Sequence, residues 1–410
     1  MTPNALLALC DSAPADITSA FTQYNADIQP FIDNGLVVEL EKEEELLAWQ
    51  NDLLHTRNDL AHRFTLHFLP TIQCQLRCSY CFENGADRGK AMKDDVLSQT
   101  IIWLENYLDN NPEVDQLRMV LFGGEPLLQS DTCIAALEKV MALCARRNIE
   151  FWSEAVTNGE LLTEAVASKL SQFNWRRVQI TIDGPEEIHD TRRPGAGGRK
   201  TFHLTSANIK ALLQGALIPA VDIRLSFDLS NGTEIIDFLD ELKDWGDVER
   251  MNLSLGFITD TFSSNEGNKS DHEISVEALK FWKKAKLLGF KIPEAQNAGP
   301  LCVAVAKHSA VVLPDGSLQK CFATAGRPEY NFGKVSEPVS GYTKDTRYEA
   351  WKRTEDCVKE ECSYLPVCGG GCPNDAMIAA GGAAGGETRF CQKQFLHNMN
   401  SGLIELNYAQ

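Results

Sequence analysis

The 410-residue chain has no uninterrupted apolar run of membrane-spanning length and no basic, apolar stretch at its amino terminus of the kind that directs secretion. The expectation is a soluble, cytoplasmic protein with no membrane partner. Positive charge is also scarce. Lys and Arg number 39 against 57 Asp and Glu, for a net charge of −18. That balance argues against nucleic acid or an anionic lipid surface as a partner. No internal repeat is evident. What the chain does have is cysteine, thirteen in all. A reducing compartment keeps thiols free, so disulfides do not explain them. Three lie between positions 74 and 81 and seven lie after position 300, leaving Cys10, Cys133 and Cys144 as ordinary isolated residues. Clustering of this kind points to metal or cluster binding.

The length predicts two or three domains. Residues 1–62 read as a small helical cap, either a packing element or part of a peptide-docking region. From 63 to about 290, strand-like and helix-like segments alternate six times. Strands are expected at 64–69, 118–122, 150–156, 177–182, 220–228 and 250–257. Helices are expected at about 93–110, 130–147, 162–172, 201–214, 231–245 and 274–288. Six βα units imply a parallel sheet with right-handed crossovers, either doubly wound or an incomplete barrel.

The strand patterns favour the barrel. Val221, Ile223, Leu225 and Phe227 alternate with Asp222, Arg224, Ser226 and Asp228. Similar alternation at 178–183 and 251–257, and His67 between Leu66 and Phe68, puts polar side chains on one face. Strands covered by helices on both faces are apolar almost throughout. A consistently polar face instead suits a curved sheet whose concave side holds a polar ligand. The stretch Thr259 to Asp271 is expected to be a loop, either a substrate-side flap or a plain connector. Residues 291–410 are expected to form a separate Cys-rich domain.

The most informative stretch follows the first strand. Cys74, Cys78 and Cys81 stand at Cys-x3-Cys-x2-Cys spacing on one short loop. A structural zinc site normally closes four ligands, whereas three thiolates suit an iron–sulfur cubane with one iron open. Three more loops fall at the carboxyl ends of strands, where parallel α/β sheets build their sites. They are Phe122-Gly123-Gly124-Glu125-Pro126, Thr157-Asn158-Gly159 and Thr181-Ile182-Asp183-Gly184-Pro185. Adjacent glycines let backbone approach a ligand closely, and Glu125 supplies an anion able to meet an ammonium group.

Together these motifs resemble the radical S-adenosylmethionine (SAM) superfamily. The resemblance implies an α/β fold with a partial (β/α)6 TIM barrel. It also implies a [4Fe–4S] cluster on Cys74, Cys78 and Cys81, with the open iron chelated by SAM. Tyr80 matches the position beside the adenine, and Gly123, Gly124 and Glu125 match the motif that meets the methionyl amino group. Asn158, on the third of these loops, joins the expected cofactor-binding set. Thr181 and Asp183 are candidates for the ribose hydroxyls and Arg224 for the SAM carboxylate.

The later thiols form a second constellation. Cys302 precedes Gly316-x4-Cys321, followed by Cys357-x4-Cys362-x5-Cys368-x3-Cys372 and then Cys391. The pattern resembles the SPASM domain, which houses two auxiliary iron–sulfur clusters, although that domain usually has two residues where Cys357 and Cys362 enclose four. By the family's interleaving, Cys357, Cys362, Cys368 and Cys391 hold the outer cluster. Cys302, Cys321 and Cys372 hold the inner one, which is then one thiol short. Its fourth position is open, water-bound, filled by another side chain, or taken by a substrate thiolate. Zinc remains the competing metal.

The resemblance implies three [4Fe–4S] clusters, and cleavage of SAM to a 5′-deoxyadenosyl radical that removes a hydrogen atom from a peptide. An external electron donor such as flavodoxin or ferredoxin and a ribosomally made precursor peptide are the implied partners, with a separate leader-binding protein as a further one. The favoured outcome is an intramolecular thioether or C–C cross-link. Anaerobic sulfatase maturation to formylglycine, peptide epimerisation or splicing, and a non-enzymatic zinc-bearing interaction protein are the alternatives. In sulfatase maturases an Asp general base follows the Cys of Gly-x4-Cys. Here Phe322 follows Cys321.

Overall fold

Hydrophobic alternation sets the first strand. In β1 (Arg63–Phe68), Phe64, Leu66 and Phe68 are fully buried against helices, while Thr65 and His67 take the opposite face. In this computed structural model, residues 62–83, 89, 91–258, 267–294, 302–338 and 391–408 are described, together with a few positions between 357 and 375. The expected amino-terminal cap lies, but for its last residue, outside the described residues.

β1 pairs in parallel with β2 (Gln116–Leu121), and the ladder continues through β3 (Glu150–Thr157), β4 (Trp175–Ile182), β5 (Val221–Phe227) and β6 (Met251–Phe257). The sheet order is β6-β5-β4-β3-β2-β1, so each strand lies beside its sequence neighbour. A doubly wound sheet reverses its order partway; this one does not, which is the winding of a partial barrel.

The intervening helices are α1 (Asp94–Asn110), α2 (Ser130–Arg147), α3 (Glu164–Leu170), α4 (Glu186–Arg192), α5 (Phe202–Gln214), α6 (Gly232–Lys243) and α7 (Gly267–Leu287). Helix α1 shows why they pack. Leu97, Thr100, Trp103, Leu104, Tyr107 and Leu108 repeat at helical spacing and are all buried. Complete burial of a side chain such as Leu104 contributes about 1.5–3 kcal/mol. Helix α2 buries Cys133 and Cys144 in the same core and stops at Asn148, whose left-handed φ of 57° ends the helix.

Three findings depart from the sequence expectation. Helix α4 was not expected, because Asp183-Gly184-Pro185 reads as a turn and the helix has only 7 residues. Helix α7 begins at Gly267, inside the stretch expected to be a loop; residues 259–266 lie outside the described residues. The third concerns the carboxy-terminal segment. Its strand β7 (Ser309–Val312) pairs in parallel with the free edge of β1, and β8 (Ser317–Gln319) and β9 (Gly333–Lys334) follow antiparallel. The sheet therefore runs across the expected domain boundary as a single nine-stranded sheet among the described residues. The last helix, α8 (Lys393–Tyr408), lies along α7, where Gly402 lets Leu279 approach. A Cβ at Gly402 would fall 2.4 Å from the Leu279 side chain.

Candidate active site

The polar face of the sheet divides into two zones. At the amino ends of the strands, side chains satisfy one another. Arg118 makes a bidentate pair with Glu154 at 2.7 Å, Trp152 donates to the same carboxylate, and Asp222 accepts from Asn252 at 2.8 Å and pairs with Arg177. This zone is structural. Among the described residues, other buried polar atoms on this face lack partners: Thr65 Oγ1 and His67 Nδ1, level with Arg118 and Glu154, and Ser254 Oγ beside Arg224. Burial holds His67 neutral, its pKa pushed down to about 3. The Arg224 guanidinium lies over Gly256, where a Cβ would stand 2.6 Å from it, and makes no hydrogen bond among the described residues. Burial lowers its pKa. A desolvated cation and orphaned polar atoms on a concave face fit a polar, partly anionic ligand.

Above this zone the cysteine loop is clamped by the glycine loop. Gly124 N donates to Thr71 O at 3.3 Å and Glu125 N to Gln73 O at 2.9 Å. The fit leaves no space for a side chain, since a Cβ on Gly123 would stand 2.2 Å from Thr71 O. Gly123 also has a φ of 134°, which favours glycine.

Glu125 is fully buried. Its carboxylate accepts from Thr157 Oγ1 at 2.8 and 2.9 Å, Asn158 N at 2.8 Å and Leu127 N at 3.0 Å. It thus ties the loops after β2 and β3 together. Burial pushes its pKa up to about 7, against the pull of those donors. Asn158 in turn reaches the cysteine loop, accepting from Gln75 at 3.2 Å and donating to Cys74 Sγ at 3.7 Å.

Cys74, Cys78 and Cys81 are half-buried. The Cys74 sulfur also accepts from Leu76 N at 3.4 Å, yet burial pushes the thiol up to about 12. A thiolate there requires a cationic partner, such as the iron of a cluster, against it. Among the described residues, no three His, Cys, Asp or Glu side chains converge as ligands of a single metal ion do.

The other side of the cysteine loop rests on a segment that sequence reasoning missed. Arg77 N donates to Pro194 O, Ser79 N to Arg192 O, and Ala196 N to Gln75 O. Tyr80 donates to Asp183 Oδ1 at 2.8 Å and accepts from Arg193 at 2.8 Å, while Arg192 lies 5.3 Å over its ring. Arg192 also bridges Asp183 and Asp228 at 3.3 and 2.8 Å. Asp183 is fully buried, and its backbone N–H donates to His189 Nδ1 at 3.3 Å. Of the expected ribose pair, Thr181 is thus the more accessible and Asp183 is engaged by the chain itself. The available signal was a pair of arginines, Arg192-Arg193, just before Pro194-Gly195 and soon after an Asp-ended strand.

The carboxy-terminal thiols differ in their surroundings. The Cys321 thiol is raised by burial and by the charges of Cys302 and Cys372, and Cys372 is raised in part by Cys302, so the three are within electrostatic reach of one another. Lys320 holds two of them in place. Its buried ammonium donates to Ala306 O at 3.0 Å and Ser309 O at 3.1 Å, pinning the turn after Cys302 beside Cys321. Phe322, next along, packs on Phe122 at 4.7 Å and His67 at 5.4 Å, so this loop borders the same concave face. Cys357 is buried, Cys362 and Cys368 are half-buried, and Cys391 is exposed.

A cysteine triplet, a two-glycine clamp and a polar concavity thus meet at the carboxyl ends of parallel strands. Residues 68–219 match the family described as the Radical SAM superfamily. A cysteine-type anaerobic sulfatase-maturating enzyme of Clostridium perfringens is 30% identical over 138 residues, 32% of this chain and 35% of that protein. This chain's match thus spans about a third of that relative's length. A serine-type anaerobic sulfatase-maturating enzyme of Klebsiella aerogenes is 23% identical over 342 residues, 78% of this chain and 80% of its own.

Among solved structures, anSMEcpe with bound AdoMet superposes with a TM-score of 0.61 at 20% identity, covering 77% of this chain and 90% of that one. Streptococcus suis SuiB bound to S-adenosylmethionine gives 0.56 at 16%, covering 92% and 89%. At these identities the likeness is one of fold.

Proposed function

We propose that the protein is a radical SAM maturase that modifies a peptide. The observation that carries this is the convergence of four strand-end loops on one concave face. Backbone hydrogen bonds and the Glu125 carboxylate lock three of them together. Cys74, Cys78 and Cys81 would hold a cluster that, with SAM bound, would supply radical chemistry able to break C–H bonds that no side chain can attack.

The chain's own residues have separable tasks. Leu76 N–H and the Asn158 amide hold the Cys74 sulfur. The glycine backbone at 123–124 is the surface offered to the methionyl ammonium, because the Glu125 side chain is spent within the fold. Arg224 is the cation for a carboxylate, and Tyr80, fixed between Asp183 and Arg193, presents its ring as a wall for the adenine. Phe322 and Phe122 help keep water from the reacting centre.

A peptide is the substrate class that best fits. SuiB has been solved with its precursor peptide SuiA, and anSMEcpe with the Kp18Cys peptide. We favour an intramolecular thioether or C–C cross-link, supported by Phe322 at the position after Cys321. Formylglycine formation is the second reading, supported by the sulfatase-maturating relatives. Three [4Fe–4S] clusters, with the inner auxiliary one on Cys302, Cys321 and Cys372, complete the proposal, along with an external flavodoxin- or ferredoxin-type donor. Replacing Cys74, Cys78 and Cys81 together with Ala is expected to abolish 5′-deoxyadenosine formation from SAM and reductant. Cleavage that persists in this variant would place the site elsewhere. Coexpression with a candidate peptide then separates the two readings by the peptide's mass: loss of two hydrogens for a cross-link, or conversion of one Cys or Ser to an aldehyde.

A further inference from the structure

The inner auxiliary site has three thiols where a cubane offers four irons. Two observations bear on what meets the fourth. The first is the placement of Asp375. It follows Cys372 by three residues, a spacing that brings two side chains to one side of a single helical turn. Its carboxylate hydrogen-bonds the Cys372 thiol, and its charge is felt at Cys302 as well. Asp375 therefore stands beside Cys372 and within electrostatic reach of Cys302.

The second is Asn374. It is only 8% exposed, its side chain hydrogen-bonds the Asp375 carboxylate, and its Oδ1 has no partner among the described residues. A buried amide that orients a carboxylate is a common arrangement behind a metal ligand.

We propose that Asp375 is the fourth ligand of the inner auxiliary cluster, so that this cluster is closed by the chain and does not bind substrate through an open iron. The proposal rests on the reading that Cys302, Cys321 and Cys372 hold a cluster. On ligation the carboxylate is ionised, its proton passes to solvent, and no electron is transferred. A carboxylate is a harder donor than a thiolate, so replacing it with thiolate should lower the reduction potential.

The test uses the full-length chain carrying Cys74→Ala, Cys78→Ala and Cys81→Ala, reconstituted anaerobically, so that only auxiliary clusters contribute. Iron content, the EPR spectrum after mild oxidation and the reduction potential are read for four proteins: this parent and its Asp375→Ala, Asp375→Cys and Cys372→Ala derivatives. Asp375→Ala is expected to lose one iron on mild oxidation and show a [3Fe–4S] signal absent from the parent. Asp375→Cys should keep the full cluster at a lower potential, which also shows that substitution here leaves the fold intact. If Asp375→Ala and Asp375→Cys both match the parent while Cys372→Ala loses iron, the cluster exists and Asp375 is not its ligand. If the parent holds no iron, or Cys372→Ala loses none, the auxiliary-cluster reading itself fails.

Discussion

Gly124→Ala isolates the clamp between the glycine and cysteine loops. The backbone of Gly124 is outside the left-handed region, so alanine brings no torsional penalty there. The whole effect comes from one methyl group. Its carbon would lie 2.3 Å from Ile72 O, 2.5 Å from Gln73 O and 2.7 Å from Gln73 C. Comfortable non-bonded separations begin at about 3.5 Å, so the methyl intrudes by roughly 1 Å. The atoms in its way are backbone, and they belong to the residues just before Cys74. The loops must therefore part by a similar distance. Overpacking of this kind costs about 1–3 kcal/mol of stability. A displacement near 1 Å at a reacting centre costs on the order of 10²-fold in rate.

The assay is 5′-deoxyadenosine release from SAM and dithionite by the anaerobically reconstituted protein, with iron content measured alongside. Gly232→Ala serves as a control, because its methyl would meet Phe227 at an ordinary 3.4 Å. We expect the control to match the parent and Gly124→Ala to lose most of its activity. A Gly124→Ala protein with full iron and a rate within about twofold of the parent would refute the clamp, since an intrusion of this size predicts about 10²-fold.

Two other perturbations test different parts of the site. The Glu125 carboxyl is raised from 4.5 to about 7 in the folded chain. A raised folded value means its contribution is fully present below about pH 4.5 and is lost as pH rises to about 7, a change of up to about 3 kcal/mol. Glu125→Gln should remove that component, so the urea midpoint of the parent should fall relative to that of the variant as pH rises across this range; a constant difference would refute the assignment. Lys320→Met strands the Ala306 and Ser309 carbonyls. It should cost about 1–3 kcal/mol and lower iron content, while 5′-deoxyadenosine formation continues. Unchanged iron would show that Lys320 does not organise the Cys302 and Cys321 turns.

What was legible in the sequence was whatever depends on period and spacing. The six strands and their order follow from alternation such as that of Val221 to Phe227, and the cysteine loop follows from its own spacing. Asp183 and Arg192 were harder, because their pairing depends on how α4 returns the chain to the site. A 7-residue helix leaves too short a pattern to see. Glu125 was visible as a site residue, but its direction was not. The sequence shows an anion beside two glycines, whereas the fold turns that anion inward to Thr157 and Asn158. The joining of β7 to β1 was hidden for another reason: four apolar-flanked residues after a change in composition carry no mark of their partner.

That joining has a consequence for how the two thiol-bearing segments are held. The register pairs Thr65 with Ser309 and Phe68 with Val312. The Cys302 and Cys321 turns leave the sheet near the Thr65 end, and the Cys74 loop leaves β1 beyond Phe68. Three residues of strand separate the two ends, about 10 Å at some 3.3 Å per residue. Both thiol-bearing segments are thus anchored to one hydrogen-bonded ladder, with β1 held on both edges. A slip of that ladder that keeps the side-chain faces must move one anchor past the other by two residues, about 7 Å, at once.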